Sequence, residues 1–251
     1  KSSIYRIMKA YIITMKDDFL SNQGNERLRR SIEESKSILD VMTSVAVVPE
    51  TLVDTMKSYF SGIMEYTYPI TEADNRHDIK SGLKLTAYPT QDIKKRISCF
   101  MSHYVLWKHC VDIDEDIMIL EHDAVWTNRR FDYKHIQERF KGSILGLNSP
   151  LGATRKAQLF DDQLKSKSIG STLPEIMPCP WIDDHVVPQG LAGNSAYIIK
   201  PKGAKALIEL TVEHGIWPND AIMCKQLMPA QLQCVYPYYT YVRSEKSSTS
   251  N

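Results

Sequence analysis

The sequence predicts an α/β fold with a central, mostly parallel sheet flanked by helices, and three observations carry that expectation. Short apolar runs alternate with stretches of helical preference from residue 10 onward. Residues 93–111 hold one unbroken apolar stripe at helical spacing. Residues 117–120 (IMIL) are apolar in succession, as in a strand covered on both faces.

In chain order, residues 10–14 (AYIIT) read as a buried strand, followed by a polar loop containing Asn22 and Gly24. Residues 26–39 have helical preferences, with apolar Leu28, Ile32 and Leu39. A second β-branched run at 45–48 is stopped by Pro49, and residues 51–60 suit a second helix. Strand and helix alternating at this spacing predict parallel βα units. Residues 61–91 contain Gly62, Pro69, Gly82 and Pro89 among polar residues and read as a long loop with short elements. Such loops in a compact domain are usually functional or mobile.

The strongest helix follows. Ile93, Ile97, Phe100, Tyr104, Trp107 and Val111 form its stripe, and Thr90 or Asp92 can cap its start. The apolar strand at 117–120 then breaks abruptly into Glu121-His122-Asp123. Residues 142–147 suit a strand, 148–192 a second extended loop, and 195–199 another strand. A helix over 201–210 has Pro201 in its first turn, and a short helix over 218–227 opens likewise with Pro218. Residues 232–236 suit a last strand before a Ser/Thr tail from Ser244. Length and the absence of repeats predict a single domain over 1–251.

Hydrophobic residues at 43% and charged residues at 24% are ordinary globular values, so disorder is not the default expectation. A formal charge of +1 selects no polyanionic partner. Five cysteines, without a C-x-x-C pair, read as reduced thiols in a cytoplasmic protein rather than a zinc or redox motif. The first residues lack the apolar core of a signal peptide, and no apolar run is long enough to cross a bilayer.

The acidic turn carries the most chemistry. Side chains two apart on an extended chain point the same way, so Glu121 and Asp123 are expected to project together, with His122 facing elsewhere. Ligands of open α/β sheets bind outside the carboxyl ends of strands. Two carboxylates there suit Mg²⁺ or Mn²⁺, which can bridge phosphates. An isolated E-x-D can equally do no more than solvate a strand end.

Residues 97–107 (ISCFMSHYVLW) followed by 117–124 (IMILEHDA) resemble the signature of family 25 glycosyltransferases, the lipooligosaccharide and procollagen galactosyltransferase type. Its members carry a G-C-x-x-S-H-x-x-x-W-like helix, then an apolar strand ending in E-D-D-A. Residues 193–199 (GNSAYII) with Gly203 and Ala204 resemble the family's Ala-Tyr strand and following helix. Tyr11, Ile12 and Ile13 with Arg27 resemble its opening, and Ser247, Ser248 and Thr249 its Ser-rich end. The resemblance spans about residues 10–249 and is sharp over 97–124 and 193–205.

That resemblance implies a GT-A-like fold, a nucleotide-sugar donor (UDP-linked), Mn²⁺ or Mg²⁺, and inversion at the anomeric carbon. It implies a nucleotide-binding half at 10–124 and an acceptor half at 125–251 carrying the loop 148–192. Donor contacts are implied for Thr14, Arg27, Ser102, His103, Glu121, Asn194 and Ser195, with Glu121 and Asp123 as metal ligands. Two positions depart from the family: His122 replaces the middle Asp, and Ile97 stands near a usual Gly.

An inverting transferase needs a group to accept the acceptor's proton. Family members have an acidic residue near the position of Asp220, which makes Asp220 the candidate base, although an acid in a first helical turn also serves the helix dipole. His103 could alternatively be a satisfied core histidine, and His109 reads as structural. Asp183, Asp184 and His185 form a second acidic cluster, which reads as solvated loop or as a source of one more ligand or base. Arg27 suits a diphosphate, whereas Arg29 and Arg30 read as a solvated face. The basic stretch 129–141, with Phe131 and Tyr133, reads as a surface helix or a nucleic-acid contact. The resemblance implies a glycan or lipid-linked oligosaccharide as acceptor, and the basic stretch leaves room for the alternative of a hydroxymethylated base in phage DNA. A third possibility is an inactive binder of nucleotide sugar or glycan, for which only His122 speaks.

Overall fold

The first strand, β1 (Met8–Thr14), leads into α1 (Phe19–Glu34), whose first turn is closed by the Asp18 carboxylate accepting from the Ser21 N–H at 2.7 Å. This is a computed structural model describing residues 7–88, 90, 92–154, 156–170 and 173–243. The Ser-rich end at Ser247, Ser248 and Thr249 lies outside the described residues.

Helix α1 starts earlier than the sequence predicts and takes in Asn22 and Gly24. Gly24 is there because a Cβ would stand 2.4 Å from the His122 carbonyl oxygen, so the helix touches the acidic turn through bare backbone. Leu39 belongs not to this helix but to β2 (Leu39–Val45), since Lys36 turns left-handed (φ 56°) and ends the helical run. The run 45–48, expected as the strand, mostly leads into α2 (Pro49–Tyr59), which opens on its proline. Arg29 is no solvated residue. Its guanidinium donates to Asn25, to the Val41 carbonyl and to Thr43, tying α1 to β2.

Of the long loop expected over 61–91, the described residues hold the short pair β3 (Arg76–His77) and β4 (Lys84–Leu85) and one 3₁₀ turn. It is fastened at one end by Thr67 and His214 and further along by His214 Nδ1 against Asp78 at 3.2 Å. Helix α3 (Ile93–Ile113) is capped by Asp92 rather than Thr90 and runs into β5 (Ile117–Glu121) and β6 (Ala124–Trp126). No surface helix forms over 129–141. Phe131, Ile136 and Phe140 are buried around a single 3₁₀ turn, and the Tyr133 hydroxyl donates to Asp116.

The second half supplies β7 (Ile144–Gly146), α4 (Ala157–Lys167), β8 (Glu175–Pro178), β9 (Ala196–Ile199), α5 (Pro201–His214), α6 (Asn219–Ile222), β10 (Leu232–Tyr236) and β11 (Thr240–Val242). The stretch 148–192 therefore holds a helix and an edge strand rather than loop alone. The helix expected over 218–227 is a single turn. Strand β11, unforeseen, pairs with β6.

Seven strands make one sheet in the order β2-β1-β5-β9-β7-β10-β8, drawing on both halves of the chain. Strands β9 and β8 run against the other five. Alternate residues feed two cores: Ile117, Ile119, Tyr197 and Ile199 face α3 and α5, whereas Met118, Leu120, Ala196 and Ile198 face α1. Two-sided burial is why 117–120 had to be apolar throughout. Among the described residues no helix is long and apolar enough to cross a membrane.

Candidate active site

The chain leaves β1 for β2 on one side and returns to β5 on the other, so the carboxyl ends of β1 and β5 flank a switch point of the sheet. Strand parity then aims the residues. Glu121 follows Ile117 and Ile119 onto the α3 face, and its N–H donates to the Ser195 carbonyl at 2.8 Å. Ser195 shares the parity of Tyr197, and its hydroxyl donates to Glu121 Oε2 at 3.0 Å.

Helix α3 answers from above. His103 and Trp107, one turn apart, both reach the Tyr197 hydroxyl: Trp107 Nε1 at 2.9 Å and His103 Nδ1 at 2.8 Å. His103 Nε2 lies 3.1 Å from Glu121 Oε1. Indole nitrogen only donates, so Tyr197 accepts from Trp107 and is left free to donate to His103 Nδ1. Nε2 of His103 faces Glu121 as the donor of that bond. Burial raises the Glu121 carboxyl, but the bonds and charge of His103 and the Ser195 hydroxyl outweigh it, and the group sits below its ordinary value. Tyr197 is pushed far up by burial and stays protonated. His103 is thus both a buried core histidine and the orienting partner of Glu121.

In front of Glu121 lies a cavity of about 250 Å³, walled by Glu121, Asp123, Asn194, Ser195, Arg96 and Asp220 among others. His122 is not part of its wall. It faces α1, where burial lowers its imidazole below the ordinary value. Asp123 Oδ1 is buried with no hydrogen-bond partner, and burial with the adjacent Glu121 charge pushes its carboxyl up to about 7. Asn194 is 6% exposed, yet neither its amide oxygen nor its amide nitrogen has a partner. Gly193 before it holds φ at +73°, a left-handed turn that suits glycine. Asp220, in the single turn α6, is raised by burial, with the Arg96 charge opposing and Glu121 adding to the rise.

A second cavity of about 610 Å³ adjoins the first, sharing Ala153, Gly193 and Asp220. The long loop lines it with Tyr68 and Tyr88, stacked at 5.9 Å, and the 148–192 segment with Asp183, Asp184 and Gln189. The acidic cluster is thus divided: Asp183 pairs with Lys156 at 3.0 Å, while His185 stacks on Trp181.

The structure gathers His103, Glu121, Asp123, Asn194, Ser195 and Asp220, and leaves three expected residues outside. Ser102 accepts from the Val47 N–H at 2.9 Å and donates to the Ser98 carbonyl, pinning the segment after β2 to α3. Thr14 is buried and donates to the Ile12 carbonyl. Arg27 is exposed on α1, near His122. None of the three lines either cavity. His109 holds the Tyr11 hydroxyl at 2.7 Å, a structural contact as expected. Arg96 was missed. Its only signal was a shared helix face with Cys99 and His103, at spacings of three and four.

Two donor sets could meet a cation. The ligand atoms of Cys99, His103 and Glu121 lie within 4.8 Å of one another. Burial, reinforced by the Glu121 charge, pushes the Cys99 thiol far up, and a thiol that keeps its proton is a poor ligand. Both ring nitrogens of His103 are also engaged. The oxygen pair Glu121 and Asp123 fits better: the Asp123 oxygen is orphaned, and Glu121 retains lone pairs beyond its two bonds. Oxygen donors of this kind suit Mg²⁺ or Mn²⁺.

Half-buried carboxylates at a strand end, beside adjoining cavities at a sheet switch point, mark the ligand site of an α/β enzyme fold. The model of glycosyltransferase family 25 (LPS biosynthesis protein) matches residues 70–223, well over half of the chain, and the chain belongs to that family. It is a glycosyltransferase. Among solved structures it is similar to the apo form of mouse xyloside xylosyltransferase 1, at 10% identity and a TM-score of 0.34, covering 88% of this chain and 80% of that one. No curated protein matches the chain.

Proposed function

We propose that this enzyme moves a sugar from a nucleoside-diphosphate donor, UDP-linked, to a hydroxyl of a glycan or lipid-linked oligosaccharide, with inversion and with Mn²⁺ or Mg²⁺. The observation that carries the reading is the position of Asp220 on the wall of both cavities. The smaller cavity suits the donor, and the larger, with its tyrosine rings and polar rim, suits a sugar acceptor. Asp220 stands where an acceptor hydroxyl would meet the anomeric carbon. A carboxylate raised by burial is a stronger base than an exposed one, so Asp220 takes the hydroxyl proton as the new bond forms.

The other residues position and shield. Glu121 and Asp123 would hold the cation, which when bound neutralises the leaving diphosphate. His103 and Ser195 fix the Glu121 carboxylate in one orientation, backed by Tyr197 and Trp107. A DNA acceptor is favoured by nothing here, because Phe131 is buried and the Tyr133 hydroxyl is engaged. The five free cysteines suit a cytoplasmic setting.

The test is release of nucleoside diphosphate from a panel of sugar nucleotides with Mn²⁺ and oligosaccharide acceptors, with the anomeric configuration of the product read by NMR. Inverted product whose formation collapses in Asp123→Ala is the expected result. Equally low release by wild type and Asp123→Ala across the panel would sink the catalytic reading.

A further inference from the structure

The small cavity holds polar atoms of both characters without partners, and these describe what it takes. Asn194 offers a buried donor and a buried acceptor, both unsatisfied. Arg96 offers a buried Nε–H, likewise unsatisfied, while its guanidinium lies over the Tyr88 ring at 5.4 Å. Arg96 is also the one Lys or Arg among the described residues lining this cavity, against the three carboxyls Glu121, Asp123 and Asp220. A buried polar group without a partner is costly, and a native site keeps several such groups when a ligand completes them.

Each group narrows the ligand. Arg96 only donates and carries charge, so it calls for an anionic oxygen, and its planar fork matches a phosphoryl group. Asn194 needs a group that accepts from its nitrogen and donates to its oxygen. A hydroxyl does both; a phosphate dianion only accepts.

We infer that the small cavity reads a glycosyl diphosphate in two parts, Arg96 binding a phosphoryl oxygen and Asn194 binding a hydroxyl of the sugar that is transferred. This rests on the donor reading above and adds to it a residue absent from the sequence expectation and a division of labour. Arg96 holds donor and leaving diphosphate alike. Asn194 holds only the intact donor, because departure of the sugar removes the hydroxyl. The site therefore relaxes its grip once transfer is complete.

Calorimetric titration of full-length protein in saturating Mn²⁺ tests the division, with inorganic pyrophosphate, UDP, and three probes bearing sugars: UDP-glucose, UDP-galactose and UDP-N-acetylglucosamine. Arg96→Gln is expected to weaken pyrophosphate and UDP about tenfold or more, with Arg96→Lys intermediate. Asn194→Ala is expected to leave pyrophosphate and UDP unchanged while weakening the best-bound UDP-sugar about tenfold. Wild-type affinity for pyrophosphate in Arg96→Gln overturns the role of Arg96, even where the pH profile of turnover has moved. Asn194→Ala weakening UDP as much as the UDP-sugar overturns the role of Asn194. Wild type that binds neither UDP nor pyrophosphate overturns the donor reading itself, a result distinct from the other two.

Discussion

The two sides of Glu121 are built in opposite ways. Behind it, Trp107, Tyr197, His103 and Ser195 form a chain in which each donor meets an acceptor, all between 2.8 and 3.1 Å. In front, Asp123 Oδ1, both amide atoms of Asn194 and Arg96 Nε are buried without any partner. The rear network fixes one carboxylate geometry before any ligand arrives. The front leaves its hydrogen-bonding capacity open, as the proposed donor and cation would need. Preorganisation of this kind is what an electrostatically driven reaction requires.

The contrast can be broken at several points. Asp220→Asn removes the proposed base and is expected to lower kcat about a thousandfold, with donor KM little changed, in a diphosphate-release assay. A loss confined to KM would return Asp220 to a binding role. Tyr197→Phe cuts the rear chain and strands both Trp107 Nε1 and His103 Nδ1. We expect a loss of about 2–4 kcal/mol and a melting temperature lower by roughly 5–15 °C, measured by calorimetry.

The pH dependence sharpens the same comparison on the acid side. Asp123 titrates at about 7 in the folded, metal-free protein, against an ordinary 3.8. A raised folded value favours the native state at low pH, so in chelator this group's contribution is lost as pH rises from about 4 to about 7, and is flat above. Glu121 has the opposite sign and matters only below its ordinary 4.5, where its contribution is lost as pH falls. Buried His122, lowered, works against Asp123 on the acid side of 6.5, so the comparison is the difference between wild type and Asp123→Asn. The variant should lose the Asp123 share of the slope between pH 4 and 7; parallel curves would refute it. Mn²⁺ bound at the proposed site must displace the Asp123 proton, so its affinity should climb with pH to about 7 and then level off.

The smallest expected change is the most discriminating. Asn194→Ala removes atoms with no partner in the free protein, and its melting temperature should stay within about 2 °C of wild type. A drop as large as that of Tyr197→Phe would mean that Asn194 is part of the scaffold.

Much of the site was legible because it is local. The parity of 117–123 already placed Glu121 and Asp123 together with His122 apart, and the α3 stripe located the helix that carries His103. Other features have no local signature. Gly24 and Asn22 look like a turn, and only the His122 carbonyl pressed against α1 explains a glycine inside a helix. Strand β2 alternates and is half-exposed, so the more apolar 45–48 outweighed it. Ser102 stands beside His103 in the motif, yet one step along a helix turns a side chain by about 100°, toward Val47 instead of the cavity.

The sequence by itself therefore determined the βα pattern, the acidic strand end and the family, since each depends on residues close along the chain. Tertiary structure alone decided that β9 enters between β5 and β7 to set Ser195 and Tyr197 against Glu121. It also brought Arg96, from the start of α3, and Asp220, more than a hundred residues later, to one cavity wall. Periodicity fixes which way a side chain points on its own element. Which other side chain it meets is settled only when the elements pack to bury their apolar faces.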